Sequence, residues 1–418
     1  MLSYRGGTVD SGQNPVTAET IGSTSSRLRA AVTELRRTQT RTETVALLAA
    51  WSRSWFDPAS EDRKMAENIG GPFPYAMVQD NLDALLLSIN EDTIQELIDT
   101  EGVQGVAGYP LIGHVIASNT PLLAWSSIIR ALIMQSASLV KLSSYDDGLW
   151  IDLFRTSLAR ISLELCACLE VLSWPGSQDT LNTALCDSVD LVIVYGSDTA
   201  IVAFERLTAV KIPIIGYGHR VSIGIVDDFA YEKDITGFAR DIVIYDQAGC
   251  LSPQMIFFSG TADNAQEFSL NLAKQLASIC ESIGSFGRDA GALHALRTHR
   301  LMARMAGCRV IEDSESRWTV VNAGTASIYP PGGYGVVHVR PIEKLADILQ
   351  WTELYLGKLQ GCAIATMKPL NHKAYSGTFL MEMGFSRICR PGELQTPPIS
   401  WRQDNRSVLS SLGPSRFS

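Results

Sequence analysis

One stretch joins two predicted elements of this sequence: Tyr245-Asp246-Gln247-Ala248-Gly249-Cys250-Leu251-Ser252-Pro253-Gln254. A helix-like segment, residues 234–245, precedes it, and a β-branched and aromatic run, residues 255–258, follows it. A cysteine on a tight turn between two buried elements can expose its sulfur to a cleft while backbone N–H groups face the atom that the sulfur attacks. A lone cysteine is more commonly a buried core residue. Cys250 is therefore a candidate nucleophile, and the rest of the sequence has to decide between the two interpretations.

Alternating elements extend on both sides of this stretch. Upstream, apolar runs alternate with helical patterns, at residues 111–117, 139–142, 168–174, 191–195 and 211–215. Beyond residue 216, strands are predicted at residues 221–226, 255–258, 309–311, 319–321 and 336–339, and helices at residues 264–283, 290–305 and 343–359. Strands that alternate with helices indicate parallel sheets, which present ligands at the carboxyl ends of their strands. The predicted fold class is α/β with two parallel-sheet domains.

The bulk composition narrows the function classes. The chain has 418 residues, of which 46% are hydrophobic, and its formal net charge is −9. This balance argues against nucleic acid as the main partner, because such a surface needs clustered lysine and arginine. No apolar run approaches the ~18 residues of a membrane span. Residues 1–7 contain no apolar signal core, so we expect a cytoplasmic protein.

The cysteines predict neither a disulfide framework nor a metal site. The chain contains 8 of them without the CxxC spacing of zinc sites. Cys166 and Cys168 are two positions apart, which turns their sulfurs away from each other on a strand or a helix. Reduced thiols in a reducing compartment fit this pattern best.

Two polar residues follow predicted strands of the first half. Asn119 lies in Ser118-Asn119-Thr120-Pro121, after the first strand, where its side-chain N–H can donate to a developing oxyanion. An Asn before a helix that begins with Pro is commonly only a cap or turn residue. Lys141 ends the second strand, and a lysine there can reach a cofactor ribose or 2′-phosphate, although most such lysines are simply solvated.

A competing nucleotide-binding pattern is Gly216-Tyr217-Gly218-His219-Arg220-Val221, which begins like the G-x-G-x-x-G fingerprint after a strand. Two features count against it. Val221 stands in place of the third glycine, and residues 221–226 have a strand pattern where the fingerprint requires a helix. We therefore do not expect the phosphates of a dinucleotide at this turn.

These motifs resemble the aldehyde dehydrogenase superfamily, and in particular the acyl-CoA reductases of bacterial luminescence systems (LuxC-like). The phrase Asp246-Gln247-x-Gly249-Cys250-x-Ser252-Pro253-Gln254 is similar to that family's active-site phrase nearly throughout. Residues 385–392 and 398–401 resemble the family's ending. The similarity covers residues 108–409 and is faint before residue 108, and the chain looks shorter than typical luminescence reductases.

The resemblance implies a set of cofactor contacts. The segment 138–144 is similar to the family's Val-Lys-Pro-Ser, in which Lys141 and the small residue Ser143 would hold the adenosine ribose. Gly176 falls in the family's Pro-Gly loop. Gly196 and Ser197 resemble part of its Thr-Gly-Ser, where Ser197 opens a helix whose N–H groups and dipole favour a pyrophosphate. The implied cofactor is NADPH, with NADH possible.

The resemblance also implies a reaction, with Asn119 in the oxyanion hole beside Cys250. Hydrolytic aldehyde dehydrogenases activate water with the glutamate of a Glu-Leu-Gly-Gly-Lys segment. Here Gly216 matches that position, and residues 212–225 contain no carboxylate. A Cys250 thioester should therefore be reduced or passed to another thiol, with His219 as a candidate for proton transfer. The expected function is NADPH-dependent reduction of a fatty acyl thioester to the aldehyde.

This interpretation divides the chain into four parts. Residues 1–107 form an N-terminal arm and helices that pack on a dinucleotide-binding domain, residues 108–215. Residues 216–385 form the catalytic domain, and residues 386–418 a C-terminal segment. The arm up to about residue 25 is expected to be loose and residues 404–418 frayed. The expected partners are acyl-CoA, an acyl-carrier or synthetase protein, and a second copy of the chain in a homo-oligomer.

Three other functions stay open at this point. An acyl-phosphate reductase of the glutamyl-phosphate type would need cations beside the cysteine, which Arg220 or Arg240 could supply. A cofactor-independent acyltransferase or thioesterase could use Cys250 with His219. A non-catalytic scaffold would keep the fold and neither activity.

Overall fold

The computed structural model describes residues 15–208, 212–227, 232–283, 288–370 and 379–414, which divide into two units. The five-stranded unit contains residues 15–208, 212–219, 398–402 and 406–414. The seven-stranded unit contains residues 220–227, 232–283, 288–370, 379–397 and 403–405. Each unit has its own sheet and its own core.

The five-stranded unit begins with helices and continues with alternating strands and helices. Its first helices are α1 (Ala18–Thr38), α2 (Arg41–Ser54), α3 (Glu61–Glu67), α4 (Tyr75–Leu87) and α5 (Glu91–Thr100). The alternating part consists of β1 (Leu111–Val115), α6 (Leu123–Ile133), β2 (Ala137–Leu142), α7 (Leu149–Ile161), α8 (Leu163–Ala167), β3 (Leu169–Ser173), α9 (Asp179–Ser188), β4 (Leu191–Tyr195), α10 (Asp198–Thr208) and β5 (Ile214–Tyr217). Local sequence sets the first helix starts, because Thr17 with Thr20, and Thr40 with Glu43, form capping boxes.

The sheet of this unit is parallel and has the order β3-β2-β1-β4-β5. The chain changes direction across the sheet between β1 and β4, and doubly wound sheets bind ligands in the crevice at such a point. Every residue of β1, β2 and β4 is buried, as expected for a sheet covered on both faces. The parallel α/β sheet predicted for this part of the sequence is confirmed.

Aromatic side chains form the core between α2, α6 and α7. The Trp51 ring centroid lies 5.8 Å from that of Trp125 and 5.2 Å from that of Phe154. The Trp55 ring lies 5.6 Å from Trp125. The Trp51 Nε1–H donates to Ser157 Oγ at 2.9 Å, so the polar atom of this buried ring has a partner. This cluster attaches the N-terminal helices to one face of the sheet.

The seven-stranded unit repeats the alternation of strands and helices. It consists of β6 (Val221–Val226), α11 (Glu232–Val243), β7 (Pro253–Ser259), α12 (Ala262–Ile283), α13 (Ala290–Met305), β8 (Arg309–Glu312), β9 (Thr319–Asn322), β10 (Val336–Ile342), α14 (Ile348–Thr352), β11 (Leu359–Ala365), α15 (Phe379–Glu382) and β12 (Arg387–Cys389). The strand order is β12-β11-β6-β7-β10-β9-β8, and the pairing is parallel except between β8 and β9. Side chains of β6, β7 and β11 pack with α14 and α15 in its main core.

The helix predicted over residues 343–359 is wrong. Short helical segments occupy residues 345–355, and the chain then turns at Gly357, whose φ is 77°, into β11. All seven residues of β11 are buried, and a strand buried on both faces gives a continuous apolar run without alternation. Neither β11 nor β12 was predicted, and β12 has only three residues.

The two expectations for the chain ends need correction. Helix α1 begins at Ala18, inside the arm expected to be loose, and residues 1–14 lie outside the described residues. The C-terminal segment is anchored up to residue 414, because the Glu101 carboxylate accepts N–H bonds from Val408, Leu409 and Ser410 at 2.8–2.9 Å. Residues 415–418 lie outside the described residues.

A tight helix contact in the seven-stranded unit provides a test of the fold. A Cβ on Gly237 in α11 would lie 2.4 Å from the carbonyl oxygen of Pro391, which is backbone and cannot yield easily. We expect Gly237→Ala to lower the melting temperature, with an overpacking cost of about 1–3 kcal/mol. Thermal unfolding followed by circular dichroism measures this.

The matched control is Gly22→Ala in the interior of α1, where a Cβ would meet nothing within 4 Å. That substitution should raise stability by roughly 0.5–1 kcal/mol, because alanine favours a helix over glycine. A Gly237→Ala protein as stable as the parent would contradict the close contact between α11 and residue 391.

Candidate active site

The residues before Cys250 form a left-handed turn. The φ angles are 59° at Tyr245, 50° at Asp246 and 60° at Gln247. None of these residues is glycine, and each non-glycine residue in this conformation costs about 1–2 kcal/mol. The surrounding structure must therefore hold the turn in place. It carries the chain from α11 to Cys250, immediately before β7.

The side chain of Gln247 ties this turn to two strands. Its Nε2 donates to the carbonyl oxygens of Pro253, at 2.8 Å, and Val336, at 2.9 Å. Its Oε1 accepts the N–H of Val336 at 2.9 Å. Gln247 is 3% exposed, so these bonds replace water that cannot reach the main chain there. The turn is thereby attached to the first residues of β7 and β10.

An ion pair holds the turn from a third direction. Asp246 and Arg288 form a salt bridge, and their side chains are 3% and 5% exposed. The same guanidinium donates to the carbonyl oxygens of Ser316 and Arg317, in the connection between β8 and β9. Through these bonds the pair links the turn before Cys250 to that hairpin.

The main chain at Cys250 is held by Ser222 of β6. The Ser222 hydroxyl donates to the Cys250 carbonyl oxygen at 2.7 Å and accepts the N–H of Gly361 at 3.0 Å. The strand register shifts at this point on both sides of β6. A Cβ on Gly361 would lie 2.7 Å from Ser222 Oγ, so glycine makes room for the hydroxyl. Such irregularities recur beside active sites, where they aim a side chain.

The electrostatic environment of Cys250 disfavours its thiolate. Burial first, and then the Asp404 carboxylate, raises the pKa of the Cys250 thiol to about 12, whereas its own backbone N–H and Arg220 oppose the rise. Arg220 Nε donates to Asp404 Oδ1 at 2.9 Å and Nη2 to Oδ2 at 2.5 Å. The residue as a whole remains half-buried. Burial and the Asp404 charge therefore favour the protonated sulfur at neutral pH.

The other predicted site residues lie along one edge of the five-stranded sheet. Because its strands are parallel, the segments at the ends of β3, β2, β1, β4 and β5 share the carboxyl edge, in that spatial order. Gly176 follows β3, Lys141 and Ser143 lie at the end of β2, and Asn119 follows β1. Gly196 and Ser197 follow β4, and His219 follows β5. Asn119 is half-buried in the turn between β1 and α6. Cys250 belongs to the seven-stranded unit, at the amino end of β7.

Lys141 is a desolvated cation at this edge. It is 5% exposed, and its ammonium lies 5.8 Å from the ring centroid of Trp174. Burial lowers the pKa of Lys141 to about 8, and no carboxylate contributes to the shift. A cation in this situation gains by binding an anionic or hydroxyl-rich ligand. The neighbouring Ser143 hydroxyl accepts the N–H of Tyr145 at 3.3 Å.

The loop that contains Gly176 is fastened by Asn182. The Asn182 side chain donates to the Gly176 carbonyl oxygen and accepts from Trp174 Nε1, both at 2.9 Å. A Cβ on Gly176 would meet nothing within 4 Å. The fold therefore gives no steric reason for glycine at this position.

Ser197 begins α10, as its sequence position predicts. Its hydroxyl accepts the N–H of Ala200 at 3.2 Å. A Cβ on Gly196 would lie 3.3 Å from that of Ala200, so the turn favours glycine. Asp198 also lies in the first turn, and its Oδ1 accepts the N–H of His219 at 3.2 Å. An anion at this helix end would benefit from the helix dipole and be repelled by Asp198.

The segment Gly216 to His219 leaves no room for a side chain at its first residue. A Cβ on Gly216 would lie 2.6 Å from Ile201 Cγ2. The position that resembles the catalytic glutamate of hydrolytic enzymes thus accepts no larger residue unless Ile201 moves. His219 is exposed. Because β6 is a strand, the glycine-rich phosphate fingerprint considered for this segment is excluded.

Two kinds of feature are missing from the part of the chain that the structure describes. Among those residues, no three His, Cys, Asp or Glu side chains are grouped so that they could hold a metal ion. No described helix combines the length and apolar composition of a bilayer crossing.

Comparison with known proteins places these features in a family. Residues 78–412 match the family described as acyl-CoA reductase (LuxC). The chain belongs to the acyl-CoA reductase (LuxC) family. The long-chain acyl-protein thioester reductase of Vibrio harveyi is 28% identical to this chain over 294 residues. The matched residues cover 67% of this chain and 59% of the Vibrio harveyi protein. The chain thus spans less than two thirds of that relative's length.

Solved structures of aldehyde dehydrogenases share the fold of this family member. An aldehyde dehydrogenase of Mycobacterium tuberculosis complexed with NAD+ superimposes with a TM-score of 0.67 at 13% identity, over 91% of this chain and 83% of that one. A succinic semialdehyde dehydrogenase of Streptococcus pyogenes in complex with NADP+ gives 0.68 at 11% identity, over 91% and 88%. The family and the fold inferred from the sequence are confirmed, whereas the roles of individual residues stay predictions.

Sequence reasoning missed several groups around Cys250. Asp404 lies far from it in sequence, in a polar segment without a recognisable motif. Ser222 and Arg288 act through hydrogen bonds that only the folded chain reveals. Gln247 belongs to the motif shared with the family, but nothing in that motif indicates that its side chain forms hydrogen bonds with the main chain.

The attachment of the left-handed turn can be tested at Gln247. Gln247→Met keeps the volume of the side chain and removes the donor to the buried carbonyl oxygens of Pro253 and Val336. The Val336 N–H keeps only its 3.3 Å bond to the Gly333 carbonyl oxygen. Each buried group that loses its partner costs about 1–3 kcal/mol, so we expect a loss of several kcal/mol and a much lower melting temperature. Gln95→Met, on the exposed face of α5, serves as the control and should change the melting temperature little. Equal melting temperatures for the two variants would contradict this role of Gln247.

Proposed function

We propose that the protein reduces a fatty acyl thioester to the aldehyde, with NADPH as the reductant and Cys250 as the residue that carries the acyl group. The observation that carries this proposal is the support of Cys250. A half-buried cysteine follows a strained turn that Gln247, Asp246 and Ser222 hold in place. Such strain persists where a reacting group must be held in one orientation. Membership of the acyl-CoA reductase (LuxC) family supports the choice of reaction.

The first step is transfer of the acyl group to the enzyme. Cys250 Sγ loses its proton to solvent and attacks the acyl carbonyl carbon. The bond from that carbon to the sulfur of the carrier breaks, and the carrier thiolate takes up a proton. The Asn119 side-chain N–H and the backbone N–H of Cys250 are the proposed donors to the oxyanion. The carrier is CoA or an acyl-bearing protein.

The carboxyl edge of the five-stranded sheet is the proposed cofactor site. Lys141 is a buried cation, and no carboxylate offsets the effect of burial on its pKa. Its ammonium therefore fits a ribose or phosphate oxygen of a dinucleotide. Ser143, Gly176, Gly196 and Ser197 would complete the site at the same edge. When bound, the reduced nicotinamide would supply a hydride to the Cys250 thioester, which would give the anion of a hemithioacetal. The carbon–sulfur bond then breaks, which releases the aldehyde, and the sulfur recovers a proton.

Two features of the chain disfavour hydrolysis of the thioester. The contact between Gly216 and Ile201 leaves no space for a carboxylate at the position of the water-activating glutamate. Asp404, the carboxylate whose charge acts on Cys250, has both oxygens hydrogen-bonded by Arg220. That engagement also weakens the acyl-phosphate alternative, because Arg220 is committed to Asp404 rather than open to a phosphate.

The direct test compares the protein with Cys250→Ala, using a panel of acyl-CoAs of different chain length. We expect NADPH oxidation, aldehyde product and, without cofactor, an acyl adduct in the intact mass of the parent protein. Cys250→Ala should lose all three. Cys166→Ala, at the other half-buried cysteine, is the control and should keep them. An adduct without oxidation would indicate acyl transfer, and neither signal with any acyl-CoA would contradict the proposal.

The oxyanion assignment has its own test. Asn119→Ala should lower turnover by about 10²–10³, because one oxyanion donor contributes on that scale. The reductase assay with a saturating acyl-CoA measures this, and Asn68→Ala at the exposed end of α3 is the control. Turnover of Asn119→Ala equal to that of the control would remove Asn119 from the mechanism.

A further inference from the structure

Asp404 reaches the site from a separate part of the chain. It lies in a three-residue segment, Gln403 to Asn405, that belongs to the seven-stranded unit, whereas residues 398–402 and 406–414 belong to the five-stranded unit. The φ angles of Asp404 and Asn405 are both 56°, in the left-handed region. Neither residue is glycine, so this conformation requires support from its contacts. The contact with Arg220 provides it.

The pair between Arg220 and Asp404 is well ordered and mostly buried. Two hydrogen bonds, at 2.9 and 2.5 Å, join the guanidinium to both carboxylate oxygens. The side chains are 15% and 8% exposed, so solvent screens their charges only weakly. A bidentate bond also fixes the orientation of both groups. This pair therefore exerts a constant field on its surroundings.

The backbone places this pair beside Cys250. Arg220 lies directly before β6, and Ser222 is the second residue of that strand. Ser222 itself is bonded to the Cys250 carbonyl. Of the charged groups that act on Cys250, Asp404 raises the pKa of its thiol and Arg220 lowers it. Asp246 and Arg288, which form the other buried ion pair of this region, are not among the charged groups that shift the pKa of the Cys250 thiol.

We propose that Arg220 and Asp404 are positioning residues that set the reactivity of Cys250 with opposite signs: Asp404 restrains the sulfur as a thiol, and Arg220 favours the thiolate. This inference rests on the proposed role of Cys250 as the nucleophile. Because only the thiolate reacts with electrophiles and oxidants, the restraint protects the ligand-free protein from alkylation and oxidation. The Asp404 charge also slows the transfer of the acyl group to Cys250, and the opposite charge of Arg220 makes this loss of rate smaller.

The test is the pH profile of Cys250 alkylation by iodoacetamide, measured on the full chain without substrate and located by peptide mass mapping. In the parent protein the rate should still be rising at the alkaline end, since the pKa of the thiol is raised to about 12. Asp404→Asn should react about tenfold faster at a given pH, because its profile moves to lower pH by about one unit. Arg220→Gln should react about tenfold more slowly. The double variant should return close to the parent profile.

Two controls separate an electrostatic effect from loosened structure. Asp313→Asn removes a carboxylate of similar burial that is bidentate to Arg317 in the same unit, and it should leave the profile unchanged. Arg220→Lys keeps the charge and should also keep the profile. The inference would be overturned if the pH profile of Asp404→Asn equalled that of the parent protein. It would also be overturned if the profiles of Arg220→Gln and Asp404→Asn moved in the same direction along the pH axis. Should Asp404→Asn fail to fold, Arg220→Gln against Arg220→Lys decides the question alone.

The outcome is independent of the reductase assay. Alkylation uses neither acyl donor nor cofactor, so it reports the sulfur itself. If the alkylation profiles of Asp404→Asn and Arg220→Gln equal that of the parent while Cys250→Ala abolishes turnover, the inference fails and the proposed function stands. If the profiles diverge while Cys250→Ala retains turnover, the proposed function fails.

Discussion

The hydrogen bonds from Gln247 to the main chain of β7 and β10 are the interaction on which the active-site region depends. They hold a turn of left-handed residues in which each residue costs about 1–2 kcal/mol. A net gain of about 0.5–1.5 kcal/mol for each of three bonds is of the same order as that cost. The ion pair of Asp246 and Arg288 and the bond from Ser222 to Cys250 supply the remaining support. The turn is strained and yet held from three sides.

The two sheets use their ends differently. The five-stranded sheet follows the common rule for doubly wound folds, since its polar candidates stand at the carboxyl ends of the strands. Cys250, the proposed nucleophile, precedes the amino end of β7 in the seven-stranded unit. The left-handed turn at residues 245–247 leads the chain to Cys250 before the strand begins, and the register of β6 shifts at Ser222, which is bonded to Cys250.

The sequence supported the strands of the first sheet and the turn at Cys250, because apolar runs alternate there with amphipathic helices. It extended one helix over residues 343–359, where the helical segments end at residue 355 and the chain turns at Gly357. It also missed β11, because a strand buried on both faces has no period that distinguishes it from a helix. It could not reveal the left-handed turn, because none of its residues is glycine. Nor could it pair Asp404 with Arg220, since that contact joins distant parts of the chain without a local pattern. Contacts between remote segments account for what was missed.

The contact between Gly216 and Ile201 has an evolutionary consequence. A change of Gly216 to any larger residue would place its Cβ 2.6 Å from Ile201 Cγ2, so that change alone would disturb the packing of α10 against β5. A smaller residue at 201 would have to come first, and alone it would leave a cavity with its own cost in stability. Positions 216 and 201 are thus expected to change together: a larger residue at one requires a smaller residue at the other.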